Sequence, residues 1–131
     1  MVNRTEAPAP PDILCRADIV RLVDTFYMQV REDDILGPIF DGVARVRWDE
    51  HLPKMYDFWE LVLFGTSSFK GNPLAVHRAL ARQTTMGDRE FGRWIELFQA
   101  TVDALFSGSM AEEAKLRASR IRTVMQYNVN L

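Results

Sequence analysis

Two histidines are the residues of this 131-residue chain best suited to chemistry, and both sit on apolar helical faces. His77 belongs to the stretch GNPLAVHRAL, Gly71–Leu80. Asn72 can cap a helix there and Pro73 fits its first position, while Leu74, Ala75, Ala79 and Leu80 offer themselves for burial. A helix that short is not stable alone in water, so something besides its own hydrogen bonds must hold it. His51 shares a stripe with Met55, Phe58 and Val62 on a different helix. A lone imidazole in such surroundings is either a hydrogen-bonded core group or a ligand to a metal. The other inward stripes are heavy with rings, Phe26, Tyr27, Phe40, Phe91, Trp94 and Phe98 among them. A large flat apolar ligand, sandwiched between helices and tied to one imidazole, accounts for all of this. Helices that merely bury their stripes against each other, or against a partner protein, are the competing accounts.

The elements that must position these residues read as helices almost throughout. Ile19, Leu22, Val23, Phe26, Tyr27 and Val30 recur with helical spacing, and Asp18 is placed to cap their helix. LGPIF, Leu36–Phe40, is an apolar corner whose Gly-Pro step rules out a long helix. A second helix is expected from Trp48 to Phe64, stopped by Gly65, with Pro53 tolerated in its opening turns. A third spans Asp88 to Phe106, with Phe91, Trp94, Ile95, Phe98, Val102 and Leu105 inward. Ser109 and Glu112 suggest a capping box at the start of the last helix, whose apolar face is Ala114, Ala118, Ile121 and Met125. The expected class is all-α: a loose tail at residues 1–11, then a single domain over 12–131 with four substantial helices and one short histidine-bearing piece.

Bulk composition narrows the function. Hydrophobic residues make up 47% and charged residues 26%, which suits an ordinary globular domain with a substantial core. The formal charge of −2 comes with no basic stripe, which argues against nucleic acid as a partner. Cys15 is the single cysteine, so an intramolecular disulfide, a cysteine-based zinc site and a C-x-x-C-H attachment are all excluded. No secretory apolar region and no spanning run appears, so the expected compartment is a reducing cytoplasm and no membrane partner is expected.

Five motifs together bring the chain close to a known family. They are FY at Phe26–Tyr27, LGPIF at Leu36–Phe40, W-x-x-H-L-P-K-M-x-x-F-W at Trp48–Trp59, G-N-P-x-x-x-H at Gly71–His77 and F-x-R-W-x-x-L-F at Phe91–Phe98. In this order and spacing, across roughly residues 18–127, the sequence resembles the truncated haemoglobins. The Gly-Gly pairs of groups I and II are absent, so it most resembles group III. The resemblance implies a shortened globin fold, two helices over two, with haem b held non-covalently between them. His77 matches the proximal position, where a neutral imidazole binds the iron. Tyr27 matches the tyrosine over the open iron position; a phenol at the core edge, meeting water or a carbonyl, is the plainer reading. Trp94 matches the distal tryptophan, a donor only, and could otherwise be simple core filling. His51 matches the distal-helix histidine, which either meets the ligand or swings toward solvent. The resemblance further implies that Phe26, Phe40, Met55, Phe58 and Phe91 pack the porphyrin or its pocket. Trp59 would support its helix from behind, and Lys54 would pair with a haem propionate. Two departures stand out: Phe69–Gly71 carries phenylalanine where the family has tyrosine, and Glu90 stands where it often has histidine.

The expected activity is reversible binding of O2, CO, NO or another small iron ligand beside Tyr27 and Trp94. Two donors aimed at a ligand slow its departure, which suits storage, sensing or chemistry better than bulk oxygen transport. The enzymatic alternative is nitric oxide dioxygenation or peroxide turnover. No flavin or nicotinamide motif is present, so that chemistry requires a separate reductase. The chain is expected to act as a monomer. A haem-free module that docks a partner through its aromatic stripes would instead purify colourless.

Overall fold

The computed structural model describes residues 9–66 and 87–129. They form four helices, α1 (Arg16–Glu32), α2 (Trp48–Phe64), α3 (Asp88–Leu105) and α4 (Ser109–Val129), with a π-helical turn at Pro38–Val43 between the first two. No strand occurs among the described residues. α1 packs on α2 and α3, α3 packs on α4, and α2 reaches α4, so the helices stack two over two. The expected segment around His77 and most of the expected tail lie outside the described residues. No helix among those described is long and apolar enough to cross a membrane.

α1 buries the whole of its expected stripe, Ile19, Leu22, Val23, Phe26, Tyr27 and Val30. Each fully buried aliphatic or aromatic side chain of this kind contributes about 1.5–3 kcal/mol relative to exposure. The helix opens at Cys15, and Asp18, three residues in, reaches back to accept the Leu14 N–H at 2.8 Å. It closes at Asp33, whose Oδ2 accepts the N–H groups of Ile35 and Leu36 at 3.1 and 3.0 Å. Asp33 Oδ1 receives Arg93 Nε of α3 at 2.6 Å, with the carboxylate side chain 5% exposed. Burial alone would raise the Asp33 carboxyl, but the Arg93 guanidinium and the two amides outweigh it and hold the group below its ordinary value.

The LGPIF corner becomes the Pro38–Val43 turn. Gly37 is needed at its start, because a Cβ there would come within 2.6 Å of the Arg31 carbonyl oxygen. The chain then passes through Arg45 at φ 50°, a left-handed conformation that costs a residue with a side chain about 1 kcal/mol. Flanking bonds fix it there: Ala44 N–H to Ile39 O at 2.8 Å and Val46 N–H to Phe40 O at 2.9 Å. α2 follows and stops at Gly65, whose φ of 74° suits glycine and whose N–H returns to Leu61 O.

α3 and α4 close the second layer. Phe91, Phe98 and Val102 of α3 are buried, as are Ala111, Ala114 and Ala118 of α4, and the small alanines let the two helices approach. Trp94, Ile95, Leu105 and Ile121 pack against this core while half-buried. The acceptor at the start of α4 is Asp12 rather than the expected box of Ser109 and Glu112. Its two carboxylate oxygens receive the N–H groups of Met110 and Ala111 at 2.9 and 2.8 Å. Next to it, Ser107 N–H donates to Pro11 O at 3.0 Å, and Ile13 is 1% exposed. The stretch Pro11–Ile13 is therefore tied to the body of the protein.

Candidate functional site

Three of the residues expected at the site, Tyr27, Phe40 and His51, gather where α1, the Pro38–Val43 turn and the first turns of α2 meet. Tyr27 is 7% exposed on the inner face of α1. The His51 ring stands edge-on to it, with centroids 5.1 Å apart and planes at 82°. Phe40 meets Tyr27 at 6.1 Å, and Phe26 lies behind it at 4.9 Å. Phe26 in turn meets Trp94 of α3 edge-on at 5.7 Å and 89°. The two expected hydrogen-bond donors, Tyr27 and Trp94, therefore flank a single phenylalanine.

Tyr27 is the polar centre of this cluster. Its hydroxyl has no hydrogen-bond partner among the described residues, and burial pushes the phenol far above its ordinary value. The group stays protonated and remains a donor. The ring is buried but the hydroxyl oxygen is not among the sealed, unpartnered atoms, so the donor stays within reach of an acceptor.

Trp48 is a member that the sequence suggested only as a motif residue and a helix start. Its ring lies 5.4 Å from Tyr27 and 5.5 Å from His51, and it stacks on Phe40 at 6.0 Å and 25°. The signal was available: Trp48 and His51 are three positions apart on one helix and so share a face. Outward, Trp48 Nε1 donates to Asp41 Oδ1 at 2.8 Å, and the Arg31 guanidinium lies over the indole 5.0 Å from its centroid.

The remaining candidates divide. Met55, Phe58 and Val62 form a half-buried apolar strip down α2, and of that helix only Trp59 is fully covered. Trp59 stacks on Phe98 at 4.8 Å and 17°, behind the strip. Phe91 is 5% exposed at the start of α3. Lys54 is exposed on α2. Glu90, one of the two departures, turns to its own backbone: Oε1 accepts the Gly87 N–H at 2.8 Å and the residue is 7% exposed. His77 and Phe69–Gly71 lie outside the described residues. Among the described residues no cluster of histidine, cysteine, aspartate or glutamate could hold a bare metal ion.

Two helices over two, with aromatic rings and a donor tyrosine facing inward, define a truncated globin. A solved structure, the group III truncated hemoglobin from Campylobacter jejuni, superposes with a TM-score of 0.78 at 27% identity, covering 90% of this chain and 93% of that one. The curated Group 3 truncated hemoglobin ctb of Campylobacter jejuni is 32% identical over 111 residues, 82% of this chain and 85% of its own length. The family model for bacterial-like globins matches residues 12–127. The chain therefore belongs to the bacterial-like globins, as a group III truncated haemoglobin. Globins are haem proteins, so membership implies haem as cofactor and a small diatomic as ligand. The described residues fit such a group: the apolar strip of α2 and the ring cluster suit a flat macrocycle, and the Tyr27 hydroxyl suits a small acceptor held near its centre.

Proposed function

We propose that this protein holds haem b non-covalently, with His77 as the iron ligand, and binds O2 and similar diatomics reversibly beside Tyr27, Trp94 and His51. When bound, haem would supply an iron centre able to take a small diatomic ligand. The chain supplies the rest. Tyr27 donates a hydrogen bond from a dry, ring-lined wall, where such a bond is stronger than in water. Trp94, reached across Phe26, offers the second donor, and His51 stands edge-on to the tyrosine on the α2 side. Met55, Phe58, Phe40 and Phe91 would keep water from the macrocycle, with exposed Lys54 reaching for a propionate at the rim. The observation that carries this reading is the Tyr27 hydroxyl, on a residue only 7% exposed, which has no acceptor among the described residues. The flanking pair of donors also suits redox chemistry on the held ligand, fed by a separate reductase. Nitric oxide consumption sustained by such a reductase would assign the protein to that class.

The test is His77→Ala. The purified variant is expected to lose its pigment and its Soret band. A variant that keeps both at wild-type levels would overturn the reading.

A further inference from the structure

We propose that Trp48, clamped by Arg31 and Asp41, is a positioning residue that holds His51 against Tyr27 and so restricts access of the ligand from the α2 side. The inference rests on the haem-ligand reading above. Three segments converge on the indole. Asp41, on the Pro38–Val43 turn, accepts from Trp48 Nε1 with Oδ1 at 2.8 Å and from Arg31 Nε with Oδ2 at 3.3 Å. Arg31, in the last turn of α1, also covers the indole face at 5.0 Å. Phe40 stacks along the ring at 6.0 Å and 25°. Trp48 is thus fixed by a hydrogen bond, a cation over its face and a stacked neighbour.

The edge that remains is spent on the site. Trp48 meets His51 at 84° and 5.5 Å, and Tyr27 at 54° and 5.4 Å, while His51 and Tyr27 meet each other. Any swing of His51 away from Tyr27 on that side must displace the indole, which the clamp opposes. The approach to Trp48 runs through Arg45, held at φ 50° between two pinned amides. A backbone kept in that conformation indicates that its surroundings determine it. An exposed ion pair alone is worth little, but here one carboxylate joins a cation and an indole N–H into a network.

The experiment compares wild type with Trp48→Phe, Asp41→Ala and the double variant, all as haem-loaded protein. Carbon monoxide association after flash photolysis is expected to speed up roughly three- to tenfold in each single variant, the span of one such hydrogen bond. The double variant should gain no more than either single one, since both remove the same restraint. A second readout does not depend on ligand kinetics: the chain has two histidines, so the ring signals of His51 are readily assigned by nuclear magnetic resonance. In Asp41→Ala, which removes the acceptor, the Trp48 indole N–H should lose protection from exchange, and the His51 ring signals should shift and broaden. Arg31→Gln, which leaves the Trp48–Asp41 bond intact, serves where a core variant folds poorly, and should give a smaller change of the same sign. An exposed indole N–H with His51 signals and association rate unchanged would overturn the proposal. A wild-type protein that takes up no haem would overturn the ligand reading instead, and the His51 signals would still test the clamp.

Discussion

Phe98 and Tyr27 are both ring residues on inward helix faces, yet their surroundings differ in kind. Phe98 is 0% exposed and lies between two parallel indoles, Trp59 at 4.8 Å and Trp94 at 5.7 Å, with Phe26 edge-on at 5.2 Å. No polar atom of its own needs a partner. Tyr27 is bordered by half-buried rings, Phe40, Trp48 and His51, and carries a hydroxyl that the described residues leave without an acceptor. Close packing around Phe98 stabilises the fold. Around Tyr27 the same ring chemistry is arranged to present a donor. Phe26 touches both regions, so the packed centre fixes the position of the presenting wall.

The contrast can be broken at its packed end first. Phe98→Ala should cost about 3–5 kcal/mol of stability, read from chemical denaturation, because it removes a fully enclosed ring between two stacked indoles. A loss below about 1 kcal/mol would mean that the centre of packing lies elsewhere.

A middle-sized effect is expected at the ion-holding edges. Asp12→Ala should cost about 1–2 kcal/mol through loss of the α4 cap. Acid should act through the same groups. The Asp12 carboxyl, against the opposing pull of burial, is held below its ordinary value of 3.8 by the amides of Met110, Ile13 and Ala111 and by Ser109, as Asp33 is by Arg93 and its two amides. A group whose folded pKa is depressed contributes stability that is fully present above its unfolded value and disappears as pH falls through the lower folded one. Stability should therefore be insensitive to these two carboxyls near neutrality and fall below about pH 4. Urea midpoints measured across that range should flatten in Asp33→Asn.

The smallest effect on stability, and the most informative, belongs to Tyr27→Phe. Removing a hydroxyl that has no acceptor among the described residues should change stability by less than about 0.5 kcal/mol. The O2 dissociation rate should rise by about tenfold, the kinetic weight of one good hydrogen bond. A variant that loses stability but keeps its dissociation rate would erase the distinction between the two regions.

Much of this architecture was legible because local chemistry and tertiary need agree. The α1 stripe is buried as its spacing requires, and the bounds of α2 follow from Trp48 at one end and a left-handed Gly65 at the other. The family motifs placed Tyr27, His51 and Phe40 in one region, and the rings do meet there. What stayed hidden depends on distance along the chain. A serine three residues before a glutamate looks like a self-contained cap, and nothing local reveals that Asp12 takes that role from the other end of the sequence. Trp48 was readable as a helix start, but its clamp needs Asp41 and Arg31 from two other segments. Glu90 was legible only as a departure from the family pattern; that its carboxylate accepts from the Gly87 amide just ahead of α3 was not.

The Asp12 clasp joins positions 98 apart in the sequence, and it leaves no slack. Gly108, at φ 137°, has no room for a side chain, since a Cβ there would fall 2.5 Å from the aspartate. A polypeptide made from its amino end must keep Asp12 waiting until α4 is available, so a residue made well before that helix is among the last to be fastened. A chain trimmed to begin at Ala9 should keep the fastening whole, whereas one trimmed to begin at Ile13 should leave α4 fraying at its start.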